Sequence, residues 1–211
     1  ELQIRDGLHI FGFTPSADQQ ISLLTQMLRT PRGDGAGENA SLLRALAADL
    51  GLVAGADDDF DPLTAIPATP WHRPRPAILA EMGTSAWRSK GDTVERLDAL
   101  AHQMVAAAWH QRPFASPGPE SARILPDGLP LMQIRLAQCG AREMLALRAG
   151  LAGAFVAPGP SGAPTRGRPE VLPTGRNFFS IDSRALPTPV AWRLGWASAT
   201  ALLDRYVLDH G

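Results

Sequence analysis

The sequence predicts a mainly α fold (α-rich α+β), with several helices, few short strands and long ordered loops rich in proline and glycine. Three observations predict it. Apolar residues recur at spacings of three and four in several windows, most of them preceded by a Ser, Thr or Asp suited to capping. The only strand candidate, residues 151–157, is short and reads either as a strand or as an extended lead-in. The 20 glycines and 19 prolines gather mostly between the periodic windows. Hydrophobic residues make up 45% of the 211 residues, enough apolar surface for a packed core.

Each element follows from local signals. ELQIRDGL at the start has a helical look, and a short apolar run follows from Leu8 to Phe13. Asp18 is a candidate cap for a helix over 19–30, where Ile21, Leu24, Met27 and Leu28 share a face. PRGDGAGE, residues 31–38, breaks the pattern. Asn39 or Ser41 starts a short helix that ends at Leu50, closed by Gly51. Residues 54–76 read as irregular, acidic at first and then proline-rich. A helix is expected over 77–87. A longer one over 92–110 is capped by Ser89 or Asp92, with Val94, Leu97, Leu100, Ala101, Met104 and Ala108 on one side. Residues 111–119 form a loop, and 120–150 read as short helices broken near Gly128 and Gly140. The last helix is the clearest. Thr188 is its N-cap and Pro189 takes the first helical position, which proline favours. Trp192, Trp196, Ala199, Leu202 or Leu203, and Tyr206 form its stripe, and the two tryptophans are expected in the core.

Composition excludes several functions. The net charge is −1, which argues against a chain that coats nucleic acid or an anionic membrane. Apart from Lys90, every basic side chain is an arginine, a planar fork suited to carboxylate or phosphate. The single cysteine, Cys139, allows no internal disulfide and no thiolate zinc site, in keeping with a reducing, cytoplasmic setting. No run of apolar residues is long enough to span a bilayer. The chain reads as a single domain or as a segment of a longer protein, with flexible stretches expected at 31–40, 54–76 and 111–119.

The most unusual stretch is VAPGPSGAPTRGRPEVLPTGRNFFS, residues 156–180, with five prolines, four glycines, three arginines and one acid, Glu170. Its Gly162 and Gly167 match the glycine spacing of a phosphate-binding loop. That loop next requires Lys and Ser or Thr at the start of a helix, and here Arg168 and Pro169 follow. Nucleotide binding is excluded on those two residues. The stretch ends in Asn177-Phe178-Phe179, whereas flexible linkers are poor in aromatics. Prolines lower the entropy cost of one conformation, glycines permit close approach, and arginines with Asn177 and Thr174 supply donors. Three readings stay open: a site for a planar polyanionic ligand, a structural loop packed on another domain, or a linker.

Other motifs fail on specific positions. The run Asp57-Asp58-Asp59-Phe60-Asp61 alternates carboxylates as a calcium loop does. Pro62 stands where the turn glycine belongs and Ala68 where the bidentate glutamate belongs, so a solvated loop is expected. No histidine pair has helical ligand spacing, and no serine or cysteine nucleophile motif appears. His9, flanked by Arg5 and Asp6 in RDGLHIFG, reads either as a core or capping residue or as a base or metal contact.

ELQIRDGLHIFG, SLLRALAADLGL, FVAPGPSGAPTRGRPEVLPTGRNFFSIDSRALPTPVAW and LGWASATALLDRYVLDHG together resemble the family of aerobic cobaltochelatase large subunits, itself similar to the porphyrin-binding H subunits of magnesium chelatase. The resemblance runs from residue 1 to residue 211, with little signal over 51–75 and 111–140. It implies a piece of a tetrapyrrole-binding subunit that inserts Co2+ into the corrinoid hydrogenobyrinic acid a,c-diamide during cobalamin biosynthesis. Cobalt is then a substrate, and ATP is hydrolysed by AAA+ partner subunits and not bound here. The remainder of the large subunit is a further partner. A histidine-rich segment of the family lies upstream of RDGLHIFG, so the metal ligands are unassigned and the 211 residues alone are expected to be inactive. On this resemblance Arg166, Arg168, Arg176 and Asn177 are the substrate-binding candidates, and His9 and Asp6 the weaker candidates for proton or metal handling. The alternative is a non-catalytic scaffold segment of such a subunit, or of a magnesium or nickel relative, that docks the AAA+ partners.

Overall fold

The computed structural model describes residues 10–31, 41–53, 58–166, 168–179 and 189–210; at 126–128, 166, 189–191, 193 and 194 it describes the backbone only. It is mainly α, as the sequence predicts. Six helices appear among the described residues: α1 Ala17–Arg29, α2 Leu42–Asp49, α3 Ala77–Ala80, α4 Lys90–Trp109, α5 Pro119–Leu151 and α6 Pro189–His210. Two three-residue strands, β1 Pro158–Pro160 and β2 Asn177–Phe179, pair in parallel. Proline cannot donate to a ladder. The Asn177 N–H therefore bonds the Ala157 carbonyl and the Ser161 N–H bonds the Phe179 carbonyl, each at 3.0 Å.

The core lies where α1 and α2 pack against both α4 and α5. Leu24, Leu28, Leu43, Leu46, Leu97 and Leu100 are fully buried in it, and α5 adds Leu129, Met132 and Leu136. Each such side chain contributes roughly 1.5–3 kcal/mol on burial.

Helix starts are set by side-chain caps. α1 begins two residues earlier than Asp18 suggests, because Ser16 and Gln19 form a reciprocal capping box. Ser41 caps α2, and Gly51 follows it at φ +64°. At α4 both candidates act together. Ser89 accepts from the Asp92 N–H, while Asp92 accepts from the Arg88 and Ser89 N–H groups at 2.7 and 2.8 Å. Those two donors hold the Asp92 carboxyl below the usual range. The helix expected over 77–87 stops at Ala80. Beyond it the chain turns to form a bridge between Ser89 and Pro70, with the Trp71 N–H on the Arg88 carbonyl at 2.8 Å.

The sharpest difference is α5. The breaks expected near Gly128 and Gly140 do not occur, and one helix of 33 residues runs through both. Leu129, Met132, Leu136, Cys139 and Glu143 recur at three and four along its buried face, so tertiary packing overrides two weak helix formers. Residues 151–157, expected as a strand or an extended lead-in, form no strand: the helix uses Leu151, and pairing starts at Pro158. At its other end α5 has a glycine N-cap, Gly118, with no side chain to offer. Asp49, the last residue of α2, supplies the cap instead. Its carboxylate accepts from the Glu120 N–H at 3.1 Å, the Ser121 N–H at 2.8 Å and the Ser121 hydroxyl at 2.5 Å.

The acidic run is also corrected. It is not a solvated loop but a set of anchors for the irregular segment that follows. Asp58 is 4% exposed and pairs with Arg73. Asp59 pairs with Lys90 at 2.9 Å. Asp61 takes both arms of Arg44, at 3.0 and 2.6 Å. Between them Phe60 is buried edge-on against Trp71, ring centroids 4.9 Å apart. The Arg44 guanidinium, with the Leu63 N–H, holds the Asp61 carboxyl below the usual range.

Two outcomes follow. Asp49→Ala should cost the α5 N-terminus about 1–2 kcal/mol, visible as faster amide exchange at Glu120 and Ser121, with Asp49→Asn closer to wild type. The depressed Asp61 value contributes stability that is present above about pH 4 and lost as pH falls through the folded-state value. Asp61→Asn should therefore destabilise most at neutral pH and least at the acid end, as urea midpoints at pH 7 and pH 3 would show.

Candidate functional site

The proline-glycine stretch is ordered by its attachment to α5. Thr174 is the central contact. Its hydroxyl donates to the Glu143 carboxylate at 2.5 Å, and its N–H meets the Cys139 sulfur at 3.5 Å. Glu143 also accepts from the Gly12 N–H at 2.7 Å, so one acid, 3% exposed, holds two separate segments. The approach is close enough to require glycine. A Cβ at Gly175, where φ is +81°, would lie 2.5 Å from the Arg142 carbonyl carbon. A Cβ at Gly140 would lie 2.9 Å from the backbone of residues 12–14. Further along, Arg135 donates to the Pro169 carbonyl at 3.3 Å and Thr30 to the Thr165 carbonyl at 3.2 Å.

Between α5, residues 10–14 and this loop lies a cleft of about 770 Å³. Its walls are mostly apolar and include Leu147, Val156 and Val171. Phe11, Phe155 and Phe178 line it too, and they are 56%, 84% and 71% exposed. Arg176, Asn177, Glu143, Thr174 and Ser161 are its polar members. The Arg176 stem crosses the face of Gly159, where any Cβ would collide with it. Its guanidinium has no hydrogen bond or ion pair among the described residues. An apolar cleft with an unspent cationic fork is suited to a flat apolar body carrying a carboxylate or similar anion.

The six residues singled out from the sequence fare differently. Arg176 and Asn177 come together in the cleft. Arg168 does not line it: its side chain pairs with Glu170 at 2.8 Å, both about half exposed, an arrangement worth little to stability. Arg166 ends a 3-10 turn, Pro164–Arg166, and its side chain is outside the described residues. His9 and Asp6 also lie outside them. Among the described residues no group of three or more His, Cys, Asp or Glu is placed to hold a metal. Within the described part of the glycine-spaced stretch there is a 3-10 turn, Pro164–Arg166, and no α-helix starts there. No helix of the described residues is long and apolar enough to cross a membrane.

Glu143 is the residue that the sequence reading misses. The signal is present: it continues the buried α5 face at four residues beyond Cys139, an acid where an apolar side chain is due.

The profile of the family described as CobN/Magnesium Chelatase matches residues 1–211. The chain belongs to this family. Among CobN/magnesium chelatase members, it is 48% identical to the aerobic cobaltochelatase subunit CobN of Pseudomonas aeruginosa over 216 residues, all of this chain and 16% of that protein. It is 46% identical to the CobN subunit of a Sinorhizobium species over 225 residues, 17% of that protein. The chloroplastic magnesium-chelatase subunit ChlH of Oryza sativa is 28% identical over 97% of the chain and 15% of its own length. The solved catalytic subunit of cobaltochelatase from Mycobacterium tuberculosis is 32% identical, with a TM-score of 0.61, over 98% of this chain and 15% of that one. The chain thus spans about one sixth of these relatives.

The close approach at Gly140 reverses an ordinary rule. Glycine to alanine inside a helix normally gains up to about 1 kcal/mol. Here Gly140→Ala should destabilise, because the methyl group meets backbone and not a movable side chain. Limited proteolysis near residues 10–14 should accelerate in the variant.

Proposed function

We propose that the chain is part of the tetrapyrrole-binding large subunit of an ATP-dependent cobaltochelatase, and that the cleft at Arg176 receives an edge of the corrinoid. One observation carries this: a guanidinium with no partner among the described residues lines an apolar cleft with three exposed phenylalanines. A corrinoid is a broad apolar body fringed with carboxylates, and hydrogenobyrinic acid a,c-diamide meets that description. The cleft volume of about 770 Å³ falls within the usual range for ligand pockets. Greater identity to the CobN subunits than to ChlH, 46–48% against 28%, favours cobalt over magnesium as the metal inserted.

Arg176 is then the fork for one carboxylate, and Asn177 offers an adjacent amide donor. Arg166 is a second candidate from the same loop. Arg168 is a weaker one, since Glu170 already occupies it. Inserting a divalent metal requires two protons to leave the macrocycle nitrogens and the metal to exchange its water ligands. A group titrating near neutrality suits the first task. His9 and Asp6 stand two and five residues before Phe11 in sequence, and we retain them as the candidates for proton or metal handling. Co2+ is the substrate metal, and ATP hydrolysis belongs to AAA+ partner subunits.

Titration of the intact subunit with hydrogenobyrinic acid a,c-diamide, followed by absorbance, tests the cleft. Arg176→Ala should weaken binding by roughly 10- to 100-fold, the range for loss of a charged hydrogen bond, and Arg168→Ala much less. Unchanged affinity in a folded Arg176→Ala subunit would remove the substrate contact. The same variant losing assembly with the ATPase subunits, at full corrinoid affinity, would favour the scaffold role. His9→Ala should slow insertion with little change in corrinoid affinity, read from single-turnover rates beside the titration.

A further inference from the structure

α6 carries an apolar seam that nothing among the described residues covers. Trp192, Trp196, Ala199, Leu203, Tyr206 and His210 are spaced four, three, four, three and four apart, which keeps them on one face of the helix. Trp192 is 59% exposed, Trp196 67%, Leu203 65% and Tyr206 63%. This corrects the expectation that the two tryptophans lie in the core: periodicity identifies a face that needs burial, not what buries it. Exposed apolar side chains continue off the seam, at Leu202 (72%), Val207 (61%) and Leu208 (82%), while Arg205 and Asp209 pair at 3.1 Å. The seam is also pre-arranged. The Trp192 and Trp196 rings lie 6.1 Å apart, and His210 stacks on Tyr206 at 4.4 Å.

Soluble proteins rarely leave a contiguous apolar patch larger than a few hundred Å² in water. Aromatic side chains bury about 150–250 Å² each, so this seam, about 27 Å long, exceeds that limit. Its chemistry narrows the occupant. Exchangeable partners meet surfaces about as polar as the rest of a protein, whereas permanent interfaces resemble a core cut in half. Apart from the terminal His210, no seam residue is polar except through an aromatic ring. The relatives extend over about six times the length matched here, so most of such a subunit lies outside the compared stretch. We propose that the Trp192–His210 seam packs permanently against an apolar surface of the same subunit, formed by residues of that polypeptide outside these 211. This does not depend on what the cleft binds.

Hydrogen exchange on the intact large subunit, kept monomeric and free of partner subunits, tests the assignment without any substitution. Burial within the subunit predicts that amides over 193–209 exchange at least about 100-fold more slowly than unstructured rates. Exchange near the unstructured rate in the monomer overturns the proposal. Slowing that appears only on adding the ATPase subunits overturns it in favour of a partner. Slowing that appears only at concentrations where the subunit dimerises overturns it in favour of a second copy.

Discussion

Glu143 is the constraint on which the cleft depends. A carboxylate buried in an apolar setting is costly unless its oxygens are hydrogen-bonded. Here the bonds come from Gly12, 131 residues earlier, and Thr174, 31 residues later. Burial of the charge and closure of two segments onto α5 are therefore one event. The glycines at 140 and 175 make it sterically possible, because a Cβ at either would meet backbone, and at Gly12 a Cβ would meet the Met144 side chain. Apolar burial alone would leave residues 10–14 and 158–179 free to slide along the helix. A directional acid bonded to both segments fixes their register.

The same device recurs at three other places among the described residues. Asp49 caps α5, Asp58 holds Arg73, and Asp61 holds Arg44. A loop rich in proline has few backbone donors to spend on ladders, and its carbonyls face the same difficulty as any other buried polar group. Short acids and arginine forks answer that by reaching across. Pairs of this kind add modest net stability, yet breaking one leaves a partner stranded, and that cost is larger. The core is thus four helices packed by leucine, with several loops placed by charge.

Much of this is legible in the sequence, and the failures have physical reasons. Periodicity locates α1, α2 and α4 to within a few residues, because apolar spacing and Ser caps are local signals. It fails at α5, where Gly128 and Gly140 look like breaks. Gly140 is in fact required by the backbone of residues 12–14 crossing it, a long-range fact with no local trace. It fails again at Asp58 and Asp61, whose partners Arg73 and Arg44 sit 15 and 17 residues away. Arg176 and Asn177 are recoverable from composition and context. Glu143 is recoverable only by treating an acid on an apolar stripe as a signal in itself.

Arg168 and Arg176 show why residue type alone cannot assign a site. Both belong to the same stretch and both are planar cations. Glu170, two residues from Arg168, satisfies it on the open surface, while no described acid meets Arg176. Of these two arginines, the one left without a described acid stands beside the phenylalanines. That position matters because the loop is already ordered: Thr174 and Gly175, immediately before Arg176, are fixed against a 33-residue helix. Immobilising a long side chain and its loop ordinarily costs a ligand about 0.5–1.5 kcal/mol for each group ordered. Here most of the backbone's share is met during folding. An anion entering the cleft has only the last bonds of one guanidinium to arrange, which is the condition under which a single arginine can dominate recognition.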